Sequence, residues 1–203
     1  MYFEFVDFNV GYNKLNKWLS STKELPSTHE LLFEETVFVK FSLDQTNQSF
    51  PIFNGNDFEK RLEDYNEVYS LGEKYYKRET EYYSREFSRE SAWLVDYLKL
   101  NTDSKRCVVN FWNRENSDLD NPAPCLTQLI FRLKNDRLDM HAFMRANDSY
   151  RISFINFHLF YSLQNYICNK LHLPVGDYFH IASSFHVYRE CKDEYGKFVL
   201  GLK

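Results

Sequence analysis

The sequence predicts an α+β fold in which helices pack on a layered sheet, within a single domain over residues 1–203. Strand-like and helix-like segments follow one another with a hairpin between them, an order typical of α+β folds rather than doubly wound sheets. Of the 203 residues, 43% are hydrophobic and 18% aromatic, which is enough for a large core. No internal repeat and no change in composition marks a second domain.

Composition also excludes several classes of protein. The formal net charge is −4, which disfavours a protein that binds nucleic acid by neutralising phosphates. No apolar run approaches the roughly 18 to 20 residues that cross a bilayer, and no signal peptide opens the chain. We therefore expect a cytoplasmic protein with neither a nucleic-acid nor a membrane partner.

In the first half, apolar residues at helical spacing predict a helix over 12–19. Branched and aromatic residues that end in clear alternation predict a strand over 31–41. A short extended piece follows at 50–53, then a charged, Tyr-containing helical pattern over 57–83. A second apolar stripe predicts a helix over 91–100.

The second half contains the hairpin and the most apolar helix. Two hydrophobic runs flank a short polar linker, which is a strong hairpin signal, and the later helix is apolar on nearly every side, as a core helix would be. The predicted elements are strand 107–112, loop 114–124, strand 125–133, turn 134–137, strand 138–145, helix 154–171, turn 174–177 and strand 178–188.

The four cysteines are too far apart in sequence for a zinc or thioredoxin-type motif, because no C-x-x-C pair occurs. We expect no metal site and no disulfide framework, with three cysteines in the core and at most one reactive. Cys125 is the candidate nucleophile, because it follows Pro124 where a polar loop meets a strand. A nucleophilic thiol needs a neighbouring cation, and Arg145 at the far end of the hairpin can supply it.

Several motifs occur together in a recognisable order. The residues 103–113 read DSKRCVVNFWN, and Ala123-Pro124-Cys125 follows them. Together they resemble the thymidylate synthase family, where Asp-Ser-Arg-Arg, a hydrophobic strand, Trp-Asn and a Pro-Cys nucleophile occur in this order. The resemblance continues through residues 138–140, 144–148, 156, 176–180 and 185–188, and more weakly through 39–43 and 50–52.

The resemblance implies a role for each matching residue. Cys125 would attack C6 of a pyrimidine nucleotide, and Arg145 would hold the 5′-phosphate and lower the pKa of the thiol. Asn156 would read the pyrimidine edge, and it favours uracil because relatives that act on cytosine tend to carry Asp there. His186 and Tyr188 would bind the sugar 3′-hydroxyl. The implied reaction is methylation or hydroxymethylation at C5.

Other residues are implied in assembly and in cofactor binding. Lys105 and Arg106 would reach across a homodimer interface to the phosphate in the partner's site. Asp148 would lie near the pyrimidine ring and the cofactor, methylenetetrahydrofolate. Tyr83 would correspond to the active-site tyrosine of the family.

The chain also departs from the family pattern. Leu126 replaces the usual His after the cysteine, Ala146 replaces a phosphate-binding Ser, and the Arg-Thr-Gly-Thr loop is replaced by residues 24–29. The helix with the catalytic Glu is shortened or replaced between 52 and 69. Fifteen residues follow Tyr188, so we expect the folate-closing segment to be absent. A catalytically degenerate nucleotide-binding homologue and a subunit of a hetero-complex therefore stay open.

Each matching residue also has an ordinary structural interpretation. His186 and Tyr188 alternate on one strand face, as polar core residues often do. Asn156 near a helix start is typical of a cap. Lys105 and Arg106 are compatible with plain surface charges. The joint occurrence of the motifs favours the functional interpretation.

Overall fold

A computed structural model of the chain describes residues 1–43, 87, 89–112 and 124–202. The elements predicted over 50–53 and 57–83, and most of the loop predicted over 114–124, lie outside the described residues. The described elements are β1 (Tyr2–Phe5), α1 (Phe8–Leu19), β2 (Leu31–Phe41), α2 (89–100), β3 (Val108–Asn110), β4 (Leu126–Lys134), β5 (Arg137–Met144), β6 (Asn147–Asp148), α3 (Ser153–Leu171), β7 (Val175–Tyr188), a 3₁₀ turn (Arg189–Cys191) and α4 (Lys192–Leu200).

Within these ranges, seven strands form one mixed sheet in the order β1-β2-β7-β5-β4-β3, with β6 paired to β7. The pairs β1–β2, β5–β7 and β6–β7 are parallel, and the pairs β2–β7, β3–β4 and β4–β5 are antiparallel. Helix α3 joins β6 to β7 and packs on β5, β7 and α1. The predicted α+β arrangement of helices on a layered sheet is confirmed.

The predicted hairpin is present, with a tighter turn than the sequence indicated. Only Asn135 and Asp136 lie outside the strands, and both have positive φ angles, 51° and 57°. Two left-handed residues are the signature of the turn that matches the twist of the flanking strands, and Asn and Asp tolerate this region well. The register runs from Lys134 opposite Arg137 to Leu126 opposite Met144.

Helix α1 starts at Phe8, four residues earlier than predicted, because Asp7 caps it. The Asp7 side chain accepts a hydrogen bond from the Val10 N–H at 2.8 Å, and such a cap contributes about 1 kcal/mol. The apolar face packs against β2 so closely that a Cβ on Gly11 would lie 2.6 Å from Cε1 of Phe41. This position therefore requires glycine.

Helix α3 is the core helix that the sequence predicts. Phe157, Phe160 and Ile167 are fully buried, and Phe157 packs against Phe41 of β2 with ring centroids 4.9 Å apart. Burial of aromatic side chains from helix and sheet in one layer fixes α3 over the strands.

Two terminal elements and one strand start differ from the prediction. β1 has only four residues, too few for alternation to be recognised. Helix α4 has four charged residues among its nine, so its apolar pattern is weak. The predicted turn over 174–177 is wrong, because β7 begins at Val175, which pairs with Leu138. Gly176 lets β7 approach Asp139 of β5 closely, and it is not needed for a turn. A Cβ at this position would lie 2.2 Å from Oδ1 of Asp139.

The longest described helix is α3, with 19 residues. None of the helices within the described ranges is long and apolar enough to span a membrane.

Candidate active site

Cys125 lies directly before β4 and is the half-buried member of a set of four free cysteines, of which the other three are buried. Burial raises the pKa of Cys107, that of Cys168 to about 12 and that of Cys191 to about 11. Thiols with raised pKa values stay protonated at neutral pH and are poor nucleophiles. Cys125 is thus the most accessible of the four thiols, and its role as the nucleophile stays a prediction.

Arg145 lies beside Cys125 at the open end of the hairpin. Its backbone N–H donates to the Cys125 carbonyl at 2.9 Å, and its Nε donates to the Pro124 carbonyl at 3.2 Å. The register is irregular between Leu126 and Gln128, and this bulge makes Cys125 the partner of Arg145. The hairpin therefore places the backbone of Arg145 opposite that of Cys125, with the Arg145 side chain hydrogen-bonded to the residue before Cys125.

Asp148 is buried in β6, immediately before α3. Its Oδ1 accepts from the backbone N–H groups of Tyr150 at 3.1 Å and Arg151 at 3.0 Å, and its Oδ2 forms an ion pair with the Arg151 side chain. Burial raises the pKa of Asp148 to about 7, against the opposing effect of these two N–H donors. The Asp148 carboxylate is therefore held by the backbone N–H groups that precede α3 on one side and by the Arg151 guanidinium on the other.

Arg151 was not singled out by sequence reasoning. Its Nη1 also donates to Glu190 at 2.7 Å and to the Cys191 sulfur at 3.6 Å, and its guanidinium lies 4.5 Å from the centroid of the Tyr188 ring. One cation thus ties Asp148 to the end of β7. The sequence signal for it is a basic residue three positions after an aspartate, a spacing that allows a pair across one turn.

Asn156 lies in the first turn of α3 with its side chain buried. Its Nδ2 donates to Oδ1 of Asn147 at 3.1 Å and points to the sulfur of Met144 at 3.9 Å. The residue at the cap position is Ile152, which makes no side-chain cap bond. The interpretation of Asn156 as a helix cap is therefore wrong, and its amide belongs to a buried polar group.

His186 and Tyr188 share one face at the end of β7. Their rings are perpendicular, with centroids 5.0 Å apart, and His186 pairs in register with Asp148. Nδ1 of His186 lies 3.0 Å from the Ser184 hydroxyl oxygen. Burial lowers the pKa of His186 and raises that of Tyr188, so both are neutral at pH 7.

Lys105 and Arg106 lie apart from this group, in the segment between α2 and β3. Both side chains are exposed, and neither forms an ion pair with a residue in the described ranges. They border an open surface recess of about 530 Å³ whose lining also includes Tyr97 and Asp103.

Tyr83, the predicted active-site tyrosine, lies outside the described residues, as does the segment predicted to replace the helix with the catalytic Glu. The structure thus brings together Cys125 and Arg145 by the hairpin, and Asp148, His186 and Tyr188 at the end of β7.

Comparison with known proteins agrees with the motifs. The family model described as thymidylate synthase matches residues 27–198. A protein of Methanocaldococcus jannaschii described as "Putative thymidylate synthase" is 28% identical over 151 residues, which are 68% of each chain.

A solved structure titled thermostable thymidylate synthase A from Bacillus subtilis superposes with a TM-score of 0.49 and 24% identity. That superposition covers 54% of this chain and 39% of the other, so the chain spans well under half of that enzyme's length. Since the family model covers most of the sequence, including every candidate residue above, the chain belongs to the thymidylate synthase family.

Proposed function

We propose that this protein is a one-carbon transferase that binds a pyrimidine nucleoside 5′-monophosphate and acts at C5 of its base through Cys125. The observation that carries the proposal is the hydrogen bond from the Arg145 backbone to the Cys125 carbonyl. It places Arg145, whose side chain is exposed, opposite the half-buried Cys125. A guanidinium grips phosphate oxygens and also favours the thiolate form of a nearby cysteine.

In the proposed reaction, the sulfur of Cys125 forms a bond to C6 of the base. The electron pair of the C5–C6 double bond moves to C5 and is delocalised onto the C4 carbonyl as an enolate. C5 would then bond to the methylene carbon of the one-carbon donor and lose its proton to a base. The donor's amine would leave that carbon with its electron pair, and either a hydride from the donor or a water would add to the carbon. Departure of the thiolate from C6 restores the double bond. The product is a C5-methylated or C5-hydroxymethylated nucleotide.

The remaining site residues position the nucleotide in this proposal. The Asn156 amide faces the N3–O4 edge of the base, and uracil is favoured over cytosine. His186 and Tyr188, neutral and adjacent on β7, bind the sugar 3′-hydroxyl. Asp148, held by Arg151, orders the water and polar groups beside the pyrimidine ring.

Methylenetetrahydrofolate is the one-carbon donor proposed as co-substrate. Trp112 supports its fit, because its side chain is 45% exposed and its backbone N–H donates to the carbonyl of Thr127 at 3.2 Å, two residues after Cys125. An exposed aromatic side chain suits stacking by a flat ring such as a pterin. The donor supplies the carbon at C5, and the chain's own residues hold the nucleotide.

The test is release of hydrogen from C5, because addition of the thiolate to C6 labilises that position. UMP, dUMP, CMP and dCMP labelled with tritium at C5 are incubated with the protein, with and without methylenetetrahydrofolate. We expect release from a uracil nucleotide, lost in Cys125→Ala and retained in Cys168→Ala. No release from any of the four nucleotides would overturn the proposed enzyme. Nucleotide binding without release would favour the degenerate homologue instead.

We also propose a homodimer in which Lys105 and Arg106 reach the phosphate in the partner's site. Their exposure, and their distance in the fold from the end of β7, support this assignment. A Cys125→Ala protein mixed with a Lys105→Ala/Arg106→Ala protein would then form heterodimers with one intact site. After exchange of subunits, about a quarter of the wild-type release should return, as two-fold symmetry requires. No recovery from two inactive parents that do form a mixed dimer would contradict the shared site.

A further inference from the structure

Four buried polar side chains form a continuous chain that leads from Asn156 into the core. Nδ2 of Asn156 donates to Oδ1 of Asn147 at 3.1 Å, and Nδ2 of Asn147 lies 2.8 Å from Nε2 of His180. Nδ1 of His180 lies 2.8 Å from the hydroxyl oxygen of Tyr178. These side chains come from α3, β6 and β7, and each is at most 4% exposed. We call the three residues Asn147, His180 and Tyr178 the amide relay.

The hydrogen bonds of the amide relay have a defined direction. The Asn156 nitrogen faces two acceptors, Oδ1 of Asn147 and the sulfur of Met144 at 3.9 Å, so the amide nitrogen points inward. Asn147 then has only its nitrogen left for His180, which makes Nε2 of His180 an acceptor. The His180 proton therefore sits on Nδ1 and is donated to the Tyr178 oxygen.

The surroundings of His180 keep it neutral. The ring is fully buried and lies edge-on to Phe157, with centroids 4.8 Å apart, and parallel to Phe160. Burial lowers the pKa of His180 to about 3. A neutral imidazole with one tautomer can accept at one nitrogen and donate at the other, which a charged ring cannot do.

We propose that the amide relay fixes the amide of Asn156, and so makes the site select a pyrimidine that carries a proton on N3 over one that does not. This inference rests on the proposed function, in which Asn156 faces the base. With its nitrogen held inward, Asn156 offers Oδ1 to the ligand. The N3–H of uracil donates to that oxygen, whereas the bare N3 of cytosine would set two lone pairs against each other.

Asn147, His180 and Tyr178 are thus positioning residues that act through Asn156. A chain of buried hydrogen bonds can hold one arrangement more strongly than its pairwise bonds alone. A site built around a defined hydrogen bond also rejects ligands that leave it unmade by large factors. Substitution of a relay residue should therefore change the preference for uracil over cytosine. Substitution of a residue that only stabilises the fold should leave that preference unchanged.

The experiment compares dissociation constants of UMP, dUMP, CMP and dCMP for the wild type and Asn147→Leu, measured by calorimetry. Leucine matches the size of asparagine and removes both relay contacts, so the Asn156 amide can turn over. We expect the preference for uracil over cytosine to fall at least about tenfold, a loss typical of one hydrogen bond. Tyr178→Phe removes only the hydroxyl and serves as the milder variant should Asn147→Leu fold poorly.

The matched control is Gln164→Leu. Gln164 is also a buried amide on α3, but its Nε2 donates to the backbone carbonyls of Leu138, Gly176 and Asp177 and not to the side chains of the relay. Its substitution should lower the melting temperature and leave the base preference unchanged.

A second measurement tests the direction of the relay without any nucleotide. In protein with ¹⁵N-labelled histidine, the resonances absent from His180→Gln identify His180, and their shifts tell which ring nitrogen carries the proton. We expect the proton on Nδ1, and a proton on Nε2 would overturn the inference. If the wild type prefers uracil and Asn147→Leu keeps that ratio, the inference alone fails. If the wild type binds none of the four nucleotides, both the proposed function and this inference are contradicted.

Discussion

The backbone N–H of Arg145 donates to the carbonyl oxygen of Cys125 at 2.9 Å, one residue beyond the last register pair of the β4–β5 hairpin, Leu126 with Met144. The register irregularity at Thr127 is what creates this pairing. A regular ladder continued from the turn would place Leu126, a fully buried residue, opposite Arg145. Bulges commonly redirect a side chain next to a functional site, and this one pairs Arg145 with Cys125 instead of Leu126.

The first prediction concerns the reactivity of Cys125. Arg145→Gln should slow its alkylation by iodoacetamide at neutral pH about tenfold, because the nearby positive charge that favours the thiolate is lost. Arg132→Gln, on β4 away from the thiol, is the control and should alkylate at the wild-type rate. Peptide mapping by mass spectrometry gives the rate at each cysteine. Labelling of buried Cys107 or Cys168 ahead of Cys125 would contradict the prediction.

The second prediction concerns the pair formed by Asp148 and Arg151. Arg151→Met should lower the free energy of unfolding by about 3 kcal/mol, because it leaves a buried carboxylate without its cation. Glu190 binds the same guanidinium but its side chain is 71% exposed, so Glu190→Gln should cost less than about 1 kcal/mol. Urea denaturation measures both. Equal losses in the two variants would show that burial of Asp148 does not set the strength of the pair.

The third prediction compares two glycines. A Cβ on Gly176 would lie 2.2 Å from Oδ1 of Asp139 and 2.8 Å from its backbone nitrogen, whereas a Cβ on Gly196 in α4 would meet nothing within 4 Å. Gly176→Ala should therefore destabilise the protein by roughly 1 to 3 kcal/mol through overpacking. Gly196→Ala should stabilise it by about 0.5 to 1 kcal/mol, because alanine favours the helix. Thermal unfolding of the two variants should shift the melting temperature in opposite directions.

The fourth prediction is a pH dependence. The pKa of His180 is lowered from 6.5 to about 3 in the folded chain, so below pH 6.5 the unfolded chain binds a proton that the folded chain excludes. This group should then remove about 1.4 kcal/mol of stability for each pH unit between these values as the pH falls. In His180→Gln, whose amide oxygen can still accept from Asn147, the free energy of unfolding should fall less steeply as the pH is lowered over this range.

Urea denaturation at several pH values between 4 and 7 measures how the free energy of unfolding changes with pH. His29→Gln is the control, because His29 is exposed and its replacement should leave the slope as in the wild type. An identical slope for the wild type and His180→Gln would show that His180 takes up its proton in the folded protein as readily as in the unfolded chain.

The parts of the fold that the sequence predicts well are those with local signals. The hairpin is predicted because a short polar linker separates two apolar runs, and α3 is predicted because it is apolar on nearly every side. The first turn of α1 is missed because its signal is one cap, Asp7, rather than a repeated pattern. β1 is missed because a four-residue strand is stabilised by its partner β2 and not by its own sequence.

The residues of the candidate site also differ in how well the sequence predicts them. The hairpin predicts that Cys125 and Arg145 lie at the same end of two neighbouring strands, but the pairing itself depends on the register shift between Leu126 and Gln128, which the sequence does not indicate. Only the spacing of three residues from Asp148 indicates Arg151 in the sequence, because its second partner, Glu190, is brought to it by β7. The link from Asn147 to His180 likewise depends on the parallel placement of β6 and β7, which no short sequence pattern encodes.

The mixed topology implies an order of events as the chain folds. Cys125 and Arg145 meet through a hairpin with a two-residue turn, and such hairpins close within microseconds. His186 can reach Asp148 only after α3 has crossed over and β7 has paired in parallel, a non-local step with a larger loop-closure cost. We therefore expect a nascent chain to pair Cys125 with Arg145 before β7 brings His186 to Asp148, so that the two halves of the candidate site form at different times.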